Sequence, residues 1–325
     1  IRIFDADISN AIIRESIQNS LDAGTSTREP VCVEIQRFTI SPEDFPNKDE
    51  FIEALTLCKG YNQAKNEDAV EFFEDALSVF DQPIDILRIS DFGTSGLRGA
   101  DTCEVGTDWS RLIKESGTSN KDSSSGGSFG IGKFASYALS QLRCVFFSSL
   151  DDRGTSSSFG VAKLVTFEKD GEQTTGTGYL SENERNIAIP HQLDIPGAIR
   201  REAGQEGTDI YIVAPKLDDD FTLQTIFNVL SNFMVSIWKD KLIVQVEAIT
   251  VSRDSLASAV ALVESHLDQQ ASKVVEYHDL LTNKSGSTIE VAFDPTSSEK
   301  AQDYAKEFGY GLGECRLFIK GGEQL

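Results

Sequence analysis

The sequence predicts an α+β protein in which apolar strands and amphipathic helices share a core. The segments IDILRIS (84–90), LRCVFFSSL (142–150) and GTDIYIVAP (207–215) are short, apolar and rich in β-branched or aromatic residues, which is typical of buried strands. FTLQTIFNVLSNFMVSIW (221–238) repeats its apolar residues at three- and four-residue intervals, which indicates an amphipathic helix. With 325 residues, 39% of them hydrophobic, the chain can bury a sizeable core.

The amino-acid composition argues against two classes of binding partner, nucleic acids and membranes. The formal net charge is −22, so most of the surface repels nucleic-acid backbones and anionic lipid. No segment approaches the roughly 18 apolar residues of a membrane-spanning helix, so no membrane partner is expected. The five cysteines are widely spaced and match no zinc or redox pattern, which favours reduced thiols and a cytoplasmic protein.

The remaining elements follow from the same patterns. A helix is predicted over 9–24, capped by Ser9 or Asn10 and ended by a left-handed Gly24. An acidic stretch at about 42–82 predicts an inserted helical pair, which is either a solvated face or a docking surface. KLIVQVEAITV (241–251) predicts one strand, and CRLFIK (315–320) predicts another near the end of a chain that we expect to be truncated.

The first helix has two different faces. At 100° per residue, Glu15, Asn19 and Asp22 fall within an arc of about 60°, opposite Ile13 and Ile17. The polar face is either solvated or part of a site. An amide oxygen such as that of Asn19 suits Mg²⁺, which takes few protein ligands. Glu15, one turn away, could orient and deprotonate an attacking water.

Two glycine-rich segments offer places for a nucleotide. IDILRIS runs into Asp91, which could accept a hydrogen bond from a base amine, while Gly93 and Gly96 allow close approach of the backbone. GGSFGIGK (126–133) opens a helix with consecutive N–H groups that favour phosphate. Its candidate phosphate-binding residues are Gly127, Ser128, Phe129, Gly130, Ile131, Gly132 and Lys133, although Lys133 could equally extend from the helix into solvent.

Taken together, these segments resemble the GHKL ATPase superfamily, in particular its gyrase B, heat-shock chaperone, MutL and MORC branch. RESIQNSLDAG (14–24) resembles the N box of the family, and ISDFGTSGL (89–97) resembles its first glycine box. GGSFGIGKFASYA (126–138) and GTDIYI (207–212) resemble the second and third boxes. The whole arrangement is similar to bacterial ATP-binding proteins, some of which are associated with phage defence.

The resemblance implies a Bergerat fold, a two-layer α/β sandwich with a mixed sheet that binds ATP and Mg²⁺. An ATP-binding domain would span 1–217, with a lid at about 97–128, and an α/β transducer-like domain would span 218–325. The resemblance also implies residue roles. Glu15 would be the general base, Asn19 the Mg²⁺ ligand and Asp22 a supporting acid, while Asp91 would bind adenine together with the hydroxyl of Thr208 through a water.

Some features depart from the family pattern or leave alternatives open. The first glycine box has the spacing Asp-x-Gly-x-x-Gly, so Gly96 is less firmly assigned than Gly93. ATP hydrolysis that drives lid closure or homodimerisation is the preferred function. The alternatives are a nucleotide-gated scaffold with little turnover and, less favoured, a sensor-kinase phosphotransfer domain. A protein effector partner remains open, as does a contact of Lys241 or Lys320 with the γ-phosphate.

Overall fold

The computed structural model describes residues 5–25, 29–113, 131–183, 185–282, 288–293 and 315–320. The helices in these ranges are α1 (Asp5–Asp22), α2 (Lys48–Asn62), α3 (Glu67–Ser78), α4 (Asp108–Ile113), α5 (Ile131–Leu139), α6 (Phe221–Trp238), α7 (Leu256–Leu267) and α8 (Ser272–Thr282). The strands are β1 (Val31–Ile40), β2 (Ile84–Phe92), β3 (Cys144–Leu150), β4 (Ser156–Lys163), β5 (Glu168–Lys169), β6 (Glu172–Gln173), β7 (Thr177–Leu180), β8 (Gly207–Val213), β9 (Leu242–Val246), β10 (Ile249–Val251), β11 (Thr288–Phe293) and β12 (Cys315–Lys320).

A mixed sheet of eight strands organises the fold, in the order β10-β9-β1-β2-β8-β3-β4-β7. β1 and β9 are parallel, and the other neighbouring pairs are antiparallel. Strands from distant parts of the sequence, such as β2 and β8, are therefore adjacent in space. The α+β prediction is confirmed, because helices pack on this large mixed sheet.

Both faces of the sheet are buried in the region of β2. On one face, Leu87 and Ile89 of β2 join a core with Ile13 and Ile17 of α1, to which α5, α6, α7 and α8 also contribute. On the other face, Ile84 and Ile86 pack with residues of α2 and α3, the helical pair predicted in the acidic insert. The alternating burial follows from the two-residue period of a strand.

The first helix and the last strands of the sheet differ from the sequence prediction. Helix α1 begins at Asp5, four residues earlier than predicted, and Asn10 lies inside it, where it accepts a hydrogen bond from Asn228 of α6. Gly24 is not left-handed and pairs with Thr94 in an isolated bridge. The segment 241–251 is a hairpin, because Glu247 turns the chain at a φ of 52°.

The sheet also extends beyond the predicted domain boundary at residue 217. β9 pairs with β1, aligning Leu242 with Val31, and α6 packs in the core that contains α1. The boundary therefore falls between elements of one sheet. β11 and β12 form a separate two-stranded sheet.

The first part of the predicted lid is anchored to the sheet. Trp109 of α4 is only 1% exposed, and its ring meets that of Phe159 on β4 edge-on, with centroids 5.3 Å apart. Trp109 is thus a core anchor, a common role of large aromatic side chains. The rest of the predicted lid, from residue 114 to 128, lies outside the described residues.

Candidate functional site

Asp91 lies at the end of β2, where three separate segments of the chain donate hydrogen bonds to its carboxylate. Its Oδ1 accepts from the Thr94 hydroxyl at 2.7 Å and from the Thr208 backbone N–H at 2.8 Å. Its Oδ2 accepts from the Ser20 hydroxyl at 3.0 Å. Helix α1, the glycine turn after β2 and the start of β8 therefore meet at one side chain.

Burial and hydrogen bonding have opposite effects on the pKa of Asp91. Burial raises the pKa of its carboxyl group, whereas the bonds from Thr94, Thr208 and Ser20 and the nearby charge of Arg201 lower it, and burial prevails. Each carboxylate oxygen can accept two hydrogen bonds. With Ser20 as its one donor in the described structure, Oδ2 retains capacity for a donor from a ligand.

The turn after Asp91 depends on two glycines for different reasons. Gly93 and Gly96 have φ values of 75° and 63°, in the left-handed region that favours glycine. At Gly96 space is restricted as well, because a Cβ would lie 2.3 Å from the carbonyl oxygen of Leu150. A Cβ at Gly93 would meet nothing closer than 3.6 Å. The irregular spacing of this box therefore places Gly96 where the turn packs directly on the end of β3.

Hydrogen bonds tie this turn to its neighbours. The backbone N–H of Thr25 donates to the carbonyl of Gly93 at 3.1 Å, and that of Ser95 donates to Ala23 at 3.0 Å. The buried Ser149 of β3 accepts from the N–H of Leu97 at 2.9 Å and donates to the carbonyl of Gly207 at 2.8 Å. The end of α1, the turn, β3 and β8 are thereby linked around Asp91.

The predicted catalytic and metal-binding residues lie on the same helix as Ser20. Glu15 is partly buried and Asn19 is exposed, one turn apart on α1. Asp22 is exposed and accepts a hydrogen bond of 3.1 Å from Gln18, so its described contact is on the helix surface. In the described structure, the residue of α1 that contacts Asp91 is Ser20.

Thr208 meets Asp91 through its main chain. The resemblance implied a contact through the hydroxyl and a water, whereas the hydrogen bond in the structure comes from the backbone N–H. The carbonyl of Thr208 accepts in turn from Nη2 of Arg201 at 3.2 Å. The Thr208 side chain is buried, with 9% of the residue exposed, at the entrance of β8.

The second glycine box is described only in part. Gly127, Ser128, Phe129 and Gly130 lie outside the described residues. The residues 131–133 form the first turn of α5, which packs against α1. Ala135 and Leu139 of α5 share a core with Ile13 and Ile17 of α1, so the phosphate-binding candidate and the catalytic candidate lie on neighbouring helices.

A buried ion pair beside Asp91 was not predicted from the sequence. Arg201, in the loop before β8, donates two hydrogen bonds to Asp209, from Nε at 2.9 Å and from Nη2 at 2.7 Å. Both side chains are fully buried. Because the loop has no periodicity, the only available signal was an arginine eight residues before a strand aspartate, which is weak.

The described part of the chain contains no cluster of three or more His, Cys, Asp or Glu side chains that could hold a metal ion. No helix in the described ranges is long and apolar enough to cross a membrane. The cysteines described at 32, 58, 103 and 144 are free thiols. Lys241, at the start of β9, pairs its backbone carbonyl with the N–H of Val31, and the side chain of Lys320 lies outside the described part.

The chain matches no protein-family model, and no curated protein matches it. The indications of function are therefore the four sequence motifs and the geometry around Asp91.

Proposed function

We propose that this protein binds ATP with Mg²⁺ and hydrolyses it, in the manner of the GHKL ATPases that its motifs resemble. The observation that carries the proposal is the convergence on Asp91. Ser20 of the N box, Thr94 of the first glycine box and Thr208 of the third all donate to one carboxylate. A partly buried carboxylate at a strand end, held by three donors, is suited to recognising a ligand.

Asp91 supplies the base-binding group. Its Oδ2 accepts a hydrogen bond from the exocyclic amine of adenine, in addition to the bond from Ser20. The glycine turn 93–96 lies directly beside this carboxylate, and a Cβ at Gly93 would meet nothing closer than 3.6 Å. The water-mediated contact implied for the Thr208 hydroxyl is an additional part of the same proposal.

Glu15 and Asn19 supply the chemistry at the phosphate end. The exposed amide of Asn19 fits Mg²⁺, which keeps waters and phosphate oxygens as its other ligands. When bound, Mg²⁺ neutralises charge on the phosphates. Glu15 orients the attacking water and accepts its proton, and the N–H groups at the start of α5 bind phosphate oxygens. Such catalysis relies mainly on positioning and charge stabilisation.

Nucleotide binding is proposed to act through the lid. As the resemblance implies, the lid at about 97–128 would close over the nucleotide, and closure would reorganise the transducer-like segment 218–325 or promote a homodimer. A protein effector and a role in anti-phage defence belong to this proposal only through the family resemblance.

ATP binding and single-turnover hydrolysis by three variants test the proposal. Glu15→Gln should bind ATP but lose 10²–10⁴-fold, roughly, in turnover, since it removes a general base. Asn19→Ala should lose Mg²⁺-dependent affinity. Gln63→Ala, an exposed amide after α2 on the opposite face of the sheet, is the control and should behave as the wild type.

Two results distinguish the alternatives. If Glu15→Ala turns ATP over at the wild-type rate and Asn19→Ala binds ATP normally, the assignment is wrong. If the wild type binds ATP but shows no single turnover, the protein is a nucleotide-gated scaffold. Acid-labile phosphohistidine would instead indicate phosphotransfer.

A further inference from the structure

The guanidinium of Arg201 approaches Asp91 through a gap left by Gly207. A Cβ at position 207 would lie 2.4 Å from Nη1 of Arg201 and 2.7 Å from Oδ1 of Asp91. The cation and the carboxylate are therefore at most about 5 Å apart, a separation at which opposite charges interact strongly when buried. Any larger residue at 207 would fill this space.

Arg201 is fixed in position by hydrogen bonds to its guanidinium group and by an aromatic ring. Asp209 holds Nε and Nη2, the carbonyl of Gln205 accepts from Nη1 at 3.0 Å, and the carbonyl of Thr208 accepts from Nη2 at 3.2 Å. Its guanidinium carbon lies 4.5 Å from the ring centroid of Phe92, the residue after Asp91. A planar fork held on both edges and stacked on a ring has little freedom to move away.

Arg201 is also the principal cation facing Asp91 in the described structure. It is the one charged group that contributes to the pKa of Asp91, and its effect is to lower it. The elements packed around Asp91 also carry other charged groups, several of which are paired or exposed. They are Glu15 and Asp22 on α1, Arg88 on β2 with its partner Glu34, Asp151 and Asp152 after β3, and Glu206 and Asp209 at β8.

We propose that Arg201, held by Asp209, is the positioning residue that sets base selectivity: it keeps Asp91 an ionised acceptor and so favours a 6-aminopurine over a 6-oxopurine. This inference rests on the proposed function, because it presupposes that Asp91 binds a purine. An ionised Asp91 accepts from a 6-amino group but has no proton to donate to a 6-oxo group. A protonated Asp91 can donate to the 6-oxo group.

Removal of Arg201 takes away one of the groups that oppose the effect of burial on the pKa of Asp91. Burial already raises the pKa of Asp91, and loss of the nearby cation raises it further. At a given pH, more of the variant protein would then carry a protonated Asp91. Selectivity for the 6-amino group should therefore fall, and it should return as the pH rises and Asp91 ionises again.

The experiment measures Kd for Mg·ATP and for Mg·inosine triphosphate, which carries a 6-oxo group, between pH 6 and pH 9. Because an unpaired Asp209 could unfold the protein, the variant is the pair Arg201→Met with Asp209→Leu, which replaces a buried ion pair by apolar groups. The matched control is Arg88→Met with Glu34→Leu, an arginine–carboxylate pair on the same sheet. Circular dichroism verifies folding of both.

The expected result is that the Arg201 pair variant loses about tenfold or more of the ATP preference at pH 7, the value of one hydrogen bond to a charged group, and regains it towards pH 9. The Arg88 control keeps the wild-type ratio. If the ratio of the two Kd values is the same in the variant as in the wild type at every pH, the inference is wrong while the proposed function stands. The same holds if a folded variant loses affinity for both nucleotides equally. A wild type that binds neither nucleotide overturns the proposed function itself.

Discussion

Ser20 on α1 donates a hydrogen bond of 3.0 Å to Asp91 on β2, although 71 residues separate them in the sequence. The single proton of this hydroxyl is shared with the carbonyl oxygen of Ser16, which lies 2.8 Å away. Ser20 is buried beside the isoleucine face of α1, whereas Asn19 is exposed. The helix that carries the candidate catalytic residues is therefore fixed directly to the candidate base-binding carboxylate.

Ser20→Ala should weaken ATP binding and leave the fold intact. The change removes one donor to a carboxylate, a bond worth about 1.5–3 kcal/mol. ATP affinity should fall because Asp91 loses one of the groups that orient it. Titration calorimetry measures the affinity, and Ser16→Ala, buried one turn earlier on the same helix, is the control. Equal affinities for the two variants would contradict a role of Ser20 at Asp91.

Gly96→Ala should destabilise the protein strongly. The added Cβ would lie 2.3 Å from the backbone oxygen of Leu150, at a φ of 63°. Gly171 also has a positive φ, of 83°, but a Cβ there would meet open space. Gly171→Ala should therefore cost about 1 kcal/mol from backbone strain alone, and Gly96→Ala should cost clearly more. Urea unfolding compares them, and equal costs would show that the close approach to β3 has no energetic weight.

Removal of one partner of the buried Arg201–Asp209 pair should lower the free energy of unfolding more than removal of both partners. Arg201→Met leaves a buried carboxylate without its cation, for which about 3–5 kcal/mol is expected. The double change with Asp209→Leu should recover most of that loss. Arg37→Met breaks a partly exposed pair with Glu247 and should cost about 1 kcal/mol or less. Free energies of unfolding from urea titration test this order, and a double variant as unstable as Arg201→Met would contradict it.

The raised pKa of Asp91 makes its effect on stability depend on pH. A carboxyl group whose pKa is higher in the folded state binds protons more tightly there, so its stabilising contribution is present at low pH. That contribution is lost as the pH rises through the folded pKa. Asp91→Asn should therefore gain stability relative to the wild type as the pH is raised from acidic towards neutral. Paired urea titrations across this range measure the difference, and the opposite slope would contradict the raised pKa.

The parts of the site that follow a local pattern could be predicted from the sequence. The strand that leads to Asp91 is short and dominated by isoleucine and leucine, and the polar face of α1 follows from helical periodicity. Tertiary contacts overrode local signals elsewhere. Asn10 has the residue type of a helix cap, but it lies inside α1 and contacts α6. The hairpin at Glu247 depends on a left-handed residue that the alternating pattern does not reveal.

The interior of the site could not be predicted, because it depends on strand register. Ser149 and Thr208 become neighbours only when β3 pairs with β8, and Arg201 reaches Asp91 only because Gly207 leaves a gap between them. No spacing in the sequence encodes these approaches. The buried polar contacts between distant segments are thus visible only in the structure.

The most direct test of the central claim is equilibrium binding of Mg·ATP to the wild type, to Asp91→Asn and to Asp85→Asn. Asp85 is an exposed carboxylate on the same strand and serves as the control. We expect saturable binding to the wild type and to Asp85→Asn, and a loss of about tenfold or more in affinity for Asp91→Asn, since the base loses its charged acceptor. Failure of the wild type to bind ATP, or binding by Asp91→Asn as tight as that of the wild type, would contradict the claim.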